Sequence, residues 1–190
     1  ADNTLCPTGM QTFSMSGISP SLSLYQNAGA TKRSGVILWD SVYCYGNVNI
    51  PSSCAISLYD LDNGNIPYMF KLYGDTFNLQ GSIFASEPNT KLSLYGTNKQ
   101  YLKIYNQTDL IDVLDVNNPN NVELLYGNLM VKSKVNLING KFYTNNNILT
   151  YSNTATTERT NGWVIGNIAK YFSTGLQTFR FDYGTENGYS

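Results

Sequence analysis

Apolar and polar positions alternate with period two through short runs along most of the chain, as in Ala55-Ile56-Ser57-Leu58-Tyr59, Met69-Phe70-Lys71-Leu72-Tyr73, Lys91-Leu92-Ser93-Leu94-Tyr95 and Tyr101-Leu102-Lys103-Ile104-Tyr105. That period belongs to a strand with one buried and one wet face. Further β-branched and aromatic runs lie at 35–44, 122–126, 129–131, 134–138, 163–168 and 178–183. Turn signals separate them at Asn63-Gly64, Tyr95-Gly96-Thr97-Asn98, Asn117 to Asn121, Asn139-Gly140 and Asn161-Gly162. No segment carries a sustained helical period. The best helix candidate is Asp109 to Leu114, opened by an aspartate cap and only six residues long. Strands spaced roughly ten residues apart predict an antiparallel sandwich or barrel. No long linker and no internal repeat divides the chain.

Composition narrows the chemistry. Only 13% of the 190 residues are charged, the net charge is -1, and 24 asparagines, 17 serines and 16 glycines supply the polarity instead. The predicted surface is neutral and hydrogen-bonding. It has no basic excess for phosphates or anionic lipid, and no apolar run approaches the ~20 residues of a membrane-spanning helix, so neither nucleic acid nor membrane is an expected partner. Histidine is absent, which removes the usual general base, the Ser-His and Cys-His dyads and the commonest metal ligand. No cofactor or metal is expected. The chain opens Ala1-Asp2-Asn3 without an initiator Met, as an exported chain does after signal cleavage.

Few motifs carry chemistry. Asp60-Leu61-Asp62-Asn63-Gly64-Asn65 begins like a calcium loop, but Lys71 stands where the bidentate glutamate is needed. A hairpin turn at Asn63-Gly64 is the expected structure there. Asp112 and Asp115 precede the Asn-rich stretch 117–121, read as a solvated loop. A carboxylate-pair enzyme drawn from Asp60, Asp62, Asp112 and Asp115 is the enzymatic rival, and no catalytic residue is assigned. Most of the 15 tyrosines and 8 phenylalanines are expected in the core. Tyr45, Tyr68 and Tyr151 stand in turn-like surroundings, where an exposed ring and hydroxyl suit sugar or protein recognition. Of the three cysteines, Cys6 with Cys44 closes a long loop and is the preferred disulfide, while Cys44 with Cys54 would brace the loop between them.

Three stretches resemble a known family. Cys6 followed by Gly35-Val36-Ile37-Leu38-Trp39-Asp40-Ser41-Val42-Tyr43-Cys44-Tyr45-Gly46-Asn47, then Asn161 to Ala169, then Thr178-Phe179-Arg180-Phe181-Asp182-Tyr183, are similar to the N-terminal receptor-binding, lectin-like domain of two-domain chaperone-usher fimbrial tip adhesins. The middle of the chain matches only as a general β pattern. The resemblance implies an elongated immunoglobulin-like antiparallel β-sandwich over residues 1–183, with 184–190 starting a linker to a pilin domain. It implies a ligand pocket of distal loops, here Tyr45, Asn47 and Asn49 with Phe172, Ser173, Thr174 and Gln177.

It also implies a non-enzymatic, extracellular role at a fimbrial tip, in host adhesion and biofilm. The expected partners are a host glycan or a host protein such as fibrinogen, plus periplasmic chaperone, usher and fimbrial subunits through the pilin domain, with the isolated domain a monomer. The chain starts with Ala1 where the mannose-binding member has a Phe, and it lacks that member's acidic residue before Phe179, so the resemblance does not extend to mannose. A structural pilin or surface subunit without a receptor is the rival reading.

Overall fold

The computed structural model describes residues 4–5, 14–19, 22–24, 34–60, 66–106 and 110–189. Strands fill most of these residues and no helix occurs among them, so the all-β expectation holds. Their direction does not match expectation. Every long pairing is parallel, and the chain winds as a β-solenoid of about six turns, not as an immunoglobulin-like antiparallel sandwich. Residues pair with partners 22 positions further on, Met69 with Lys91, Lys91 with Val113, Gln100 with Val122 and Lys141 with Trp163. Each coil therefore adds a whole turn before the chain meets itself.

Three stacks of strands make the walls. The first contains Val48–Ile50, Thr76–Leu79, Gln100–Ile104 and Val122–Tyr126, continued by the starts of Lys141–Tyr151 and Trp163–Lys170. The second places Cys54–Ser57 between Ser34–Cys44 and Ser82–Phe84, and later joins Leu129–Asn139 to the ends of the two long strands just named. The third runs from the end of Ser34–Cys44 through Met69–Leu72, Lys91–Leu94 and Leu110–Asn117 to Leu129–Asn139 and Thr156–Arg159. The predicted helix at 109–114 is thus a strand from Leu110 onward. Its β-branched Ile111, Val113 and Val116 favour the pleat.

Alternation sends one residue in two to the axis. In the third stack Val42, Phe70, Leu92, Leu114 and Val135 lie in one buried column, and Cys44, Leu72, Leu94, Val116 and Leu137 in the next. Burying each such side chain contributes roughly 1.5–3 kcal/mol, and equivalent positions in successive coils stack on one another. The tyrosines are mostly outside this core. Among the described residues only Tyr59 and Tyr151 are buried, whereas Phe70, Phe77 and Phe142 are fully so, because a phenol hydroxyl inside an apolar column costs free energy unless it finds a hydrogen-bond partner. Tyr151, expected in a loop, closes the interior near the C-terminal end.

A short antiparallel hairpin, Tyr59–Asp60 with Ile66–Pro67, interrupts the coils. The turn expected at Asn63-Gly64 lies outside the described residues. Cys44 and Cys54 carry free, buried thiols, so neither expected disulfide forms. Cys6 lies outside the described residues. Burial raises both thiol pKa values, and Cys44 faces the axis above Leu72.

Candidate functional site

The corner between the third and first stacks repeats at Gly46, Gly74, Gly96, Asn118, Gly140 and Gly162, the last five each 22 residues apart. Close approach explains the glycines. A Cβ at Gly74 would sit 2.0 Å from the Gly46 carbonyl oxygen, and one at Gly140 would sit 1.8 Å from that of Asn118. Gly140 also has φ 78°, which an L side chain resists. At Asn118 the side chain works inside the turn. Its Nδ2 donates to Asn98 O at 2.7 Å and to Gln100 Oε1 at 3.0 Å, and its Oδ1 accepts from Asn120 N at 2.8 Å.

Gln100, fully buried beneath this corner, ties three coils together. Its Nε2 donates to Leu72 O at 3.0 Å and Gly74 O at 2.8 Å, while its Oε1 accepts from Gly96 N at 3.0 Å and from Asn118. Much of the asparagine content has the same role. Asn47 Oδ1 accepts from Thr76 N at 2.9 Å, Asn49 Oδ1 accepts from Asn78 Nδ2 at 2.7 Å, and Asn145 and Asn147 both donate to Leu124 O. These amides join coil to coil.

Three successive coils present a grid on the outside of the corner. Tyr43 lies over Lys71 and Lys71 over Ser93, which is itself fully covered, and the chain then continues in each coil to Tyr45-Gly46-Asn47, Tyr73-Gly74-Asp75 and Tyr95-Gly96-Thr97. The intervening Cys44, Leu72 and Leu94 point inward. The middle column is aromatic. Tyr45 and Tyr73 stack at 4.6 Å and 5°, and Tyr73 meets Tyr95 at 6.2 Å and 56°. Coils about 4.8 Å apart place equivalent rings at stacking distance.

Beside this column lies an open groove of about 430 Å³, lined by Tyr45, Gly46, Asn47, Tyr73, Gly74, Asp75, Thr97 and Asn98. Asp75 is the one carboxylate in that lining, held by Asn98 Nδ2 at 3.3 Å. The repeated pattern Tyr45-Gly46-Asn47, Tyr73-Gly74-Asp75, Tyr95-Gly96-Thr97 was the signal to follow in the sequence, where no repeat was expected and only Tyr45 and Asn47 of this grid were singled out.

The expected pocket does not assemble. Tyr45 and Asn47 line the groove, and Asn49 sits one strand further on, bonded to Asn78. Phe172, Ser173, Thr174 and Gln177 belong to a segment after the last coil, five coils or roughly 24 Å along the axis at about 4.8 Å per coil. That segment is a cap. Phe179 packs at 5.0 Å on Tyr151 and at 4.8 Å on Phe181, and Gln177 donates to Ser173 within it.

Residues 178–183, expected as a terminal strand, make only one parallel bridge, Val164 to Tyr183. Asp182, fully buried, anchors them. It accepts from Thr157 Oγ1 at 2.8 Å, Tyr189 OH at 2.9 Å, and Arg180 Nη2 and Nε at 3.0 and 2.9 Å. Residues 184–189, expected as a linker, form the antiparallel hairpin Gly184–Thr185 with Gly188–Tyr189. Trp163 Nε1 donates to Thr185 O at 3.1 Å, and Lys141 and Tyr143 both reach the Glu186 carboxylate.

Asp112 and Asp115, expected in solvated loops, are buried on strand Leu110–Asn117 and fully engaged. Asp112 accepts from Asn89 N at 2.7 Å and from Ser133 Oγ, and Asp115 accepts from Ser93 Oγ at 3.0 Å and Asn136 Nδ2 at 2.6 Å. Among the described residues no group of three metal-ligating side chains gathers. No protein family model matches the chain, and no curated protein or solved structure is found similar to it.

Proposed function

We propose that the chain is a non-catalytic binding module of the adhesin type, which holds an extended glycan along the corner groove. The stacked pair Tyr45 and Tyr73 on the wall of that groove, continued beside it by Tyr95, carries the reading. Aromatic surface flanked by a few amides and hydroxyls is the chemistry by which proteins hold sugars, offering apolar contact and directed hydrogen bonds at low entropic cost. A groove running along a solenoid suits a chain-like ligand. Cleavage of a glycosidic bond by acid–base chemistry takes two carboxylates, and the lining supplies Asp75 alone, which favours binding over turnover. Modest affinity at one site is compensated where many copies are displayed on a cell surface. Chaperone, usher and pilin partners belong to the sandwich resemblance and form no part of this proposal.

The test is a screen of the chain against a glycan array and a panel of host matrix and plasma proteins including fibrinogen, with Tyr45→Ala, Tyr73→Ala and Phe172→Ala beside the unaltered protein. Glycan hits lost in the two groove variants and kept in Phe172→Ala are the expected result. Hits indifferent to both groove variants, or hits on proteins alone, would overturn it.

A further inference from the structure

The outward grid places a cation and a carboxylate on opposite sides of one ring. Lys71, Tyr73 and Asp75 alternate with the buried Leu72 and Gly74, so the ammonium flanks the tyrosine column on one side and the carboxylate on the other. Lys71 Nζ lies 3.6 Å from the Tyr95 ring centroid and 5.5 Å from that of Tyr73. It has no oxygen acceptor among the described residues, whereas the lysines at 91, 99, 134 and 141 each face a carboxylate. The rings stabilise the charge without using its three N–H donors in hydrogen bonds to oxygen.

We infer that the tyrosine column and the groove beside it select an anionic oligosaccharide, with Lys71, which stands across the column from the groove lining, as the residue that takes its acidic group. This rests on the glycan reading above and adds the ligand's charge and orientation. A sugar lying along the tyrosine column turns its carboxylate or sulfate toward Lys71 and its hydroxyls toward Asp75 and Asn98. The reverse pose sets two anions together at Asp75. A neutral sugar leaves the ammonium without a partner, and a charged hydrogen bond is what separates the two classes.

Calorimetric titration at low and high salt tests this with three probes: a hyaluronan hexasaccharide for the carboxylate, a carrageenan hexasaccharide for the sulfate, and neutral cellohexaose. At least one acidic probe is expected to bind about tenfold more tightly than cellohexaose at low salt. That advantage should shrink as salt rises, vanish in Lys71→Met and survive in Lys71→Arg, and whichever acid wins identifies the anion. Thermal melts of both variants establish that they fold. Acidic probes that bind no better than cellohexaose, or a preference unchanged in Lys71→Met, would sink the inference. If Tyr73→Ala then still abolishes glycan binding, only the anionic selectivity has failed; if Tyr73→Ala changes nothing, the glycan reading has failed with it.

Discussion

A side-chain amide in the interior is the residue on which the corner depends. Gln100 meets four partners from three coils; without it the Gly74 carbonyl and the Gly96 N–H lose the buried partner it supplies, while Leu72 O keeps the Tyr95 N–H and Asn118 Nδ2 keeps Asn98 O. Leaving a buried donor or acceptor unsatisfied costs about 1–3 kcal/mol. Gln100→Leu keeps the volume and deletes the bonds, so it should lower stability in urea unfolding by roughly 2–4 kcal/mol; a change below about 0.5 kcal/mol would mean that the corner repacks or hydrates instead. The sequence concealed this residue. Gln100 stands two positions after Asn98 in a polar turn, where an amide reads as solvated, and only the stacking of one turn upon the next turns its side chain into an internal brace. Tyr45 was legible for the opposite reason: a large ring beside a glycine has little room inside a tight turn, and it is 53% exposed.

Strand positions could be read from alternation, and their direction could not. A strand with one buried face shows period two whether its neighbour runs parallel or antiparallel, so Met69–Leu72, Lys91–Leu94 and Gln100–Ile104 fit either architecture. The distinguishing signal lay in the turns, where glycine or asparagine returns every 22 residues from Gly74 to Gly162 because each turn sits directly on the previous one. Residues 184–189 misled in another way. Their polar, glycine-containing sequence reads as a linker, yet the hairpin is pinned by an ion pair of Lys141 with Glu186 at 3.0 Å and by the Tyr143 hydroxyl. The hydrogen bond from Lys141, then that from Tyr143, holds the Glu186 carboxyl below its ordinary value of 4.5. A depressed folded-state pKa contributes stability above the unfolded value, and that stability is lost as pH falls through the folded one. Docking of the hairpin should therefore be complete at neutral pH and weaken below about pH 4.5. Trp163, whose indole N–H donates to Thr185 O, is the natural reporter: its fluorescence should shift on acidification, and Glu186→Gln should remove most of that shift. A shift of the same size in Glu186→Gln would assign the transition to other carboxylates.

A solenoid is a stack in which each coil is held mainly by its neighbours, so its ends are where a monomer is most vulnerable to adding another chain. At the C-terminal end this chain has two closures. Lys170 lays its ammonium into the carbonyls of Ser152, Asn153 and Ala155 and over the Phe179 ring, and the segment after it crosses the coil end with Phe179 against Tyr151. Asp182 fastens that segment through Thr157 below, Tyr189 beside and the paired nitrogens of Arg180. The cap is sparse in apolar contact. Phe172 and Phe181 are about half exposed and Leu176 wholly so, which leaves the polar anchor as the main restraint on its position. Asp182→Ala removes the anchor and leaves Arg180, itself largely exposed, free to hydrate, so the loss should be that of its hydrogen bonds, about 2–3 kcal/mol. The larger consequence is geometric. Once the segment lifts, the edge of Trp163–Lys170 and the ring of Tyr151 are uncovered together, and an open strand edge beside apolar surface is a template for another molecule. Light scattering behind size exclusion should then show Asp182→Ala associating in a concentration-dependent way with a lowered melting midpoint, while the groove variant Tyr45→Ala stays monomeric. An Asp182→Ala protein that remains monomeric at high concentration would show that Lys170 alone closes the stack.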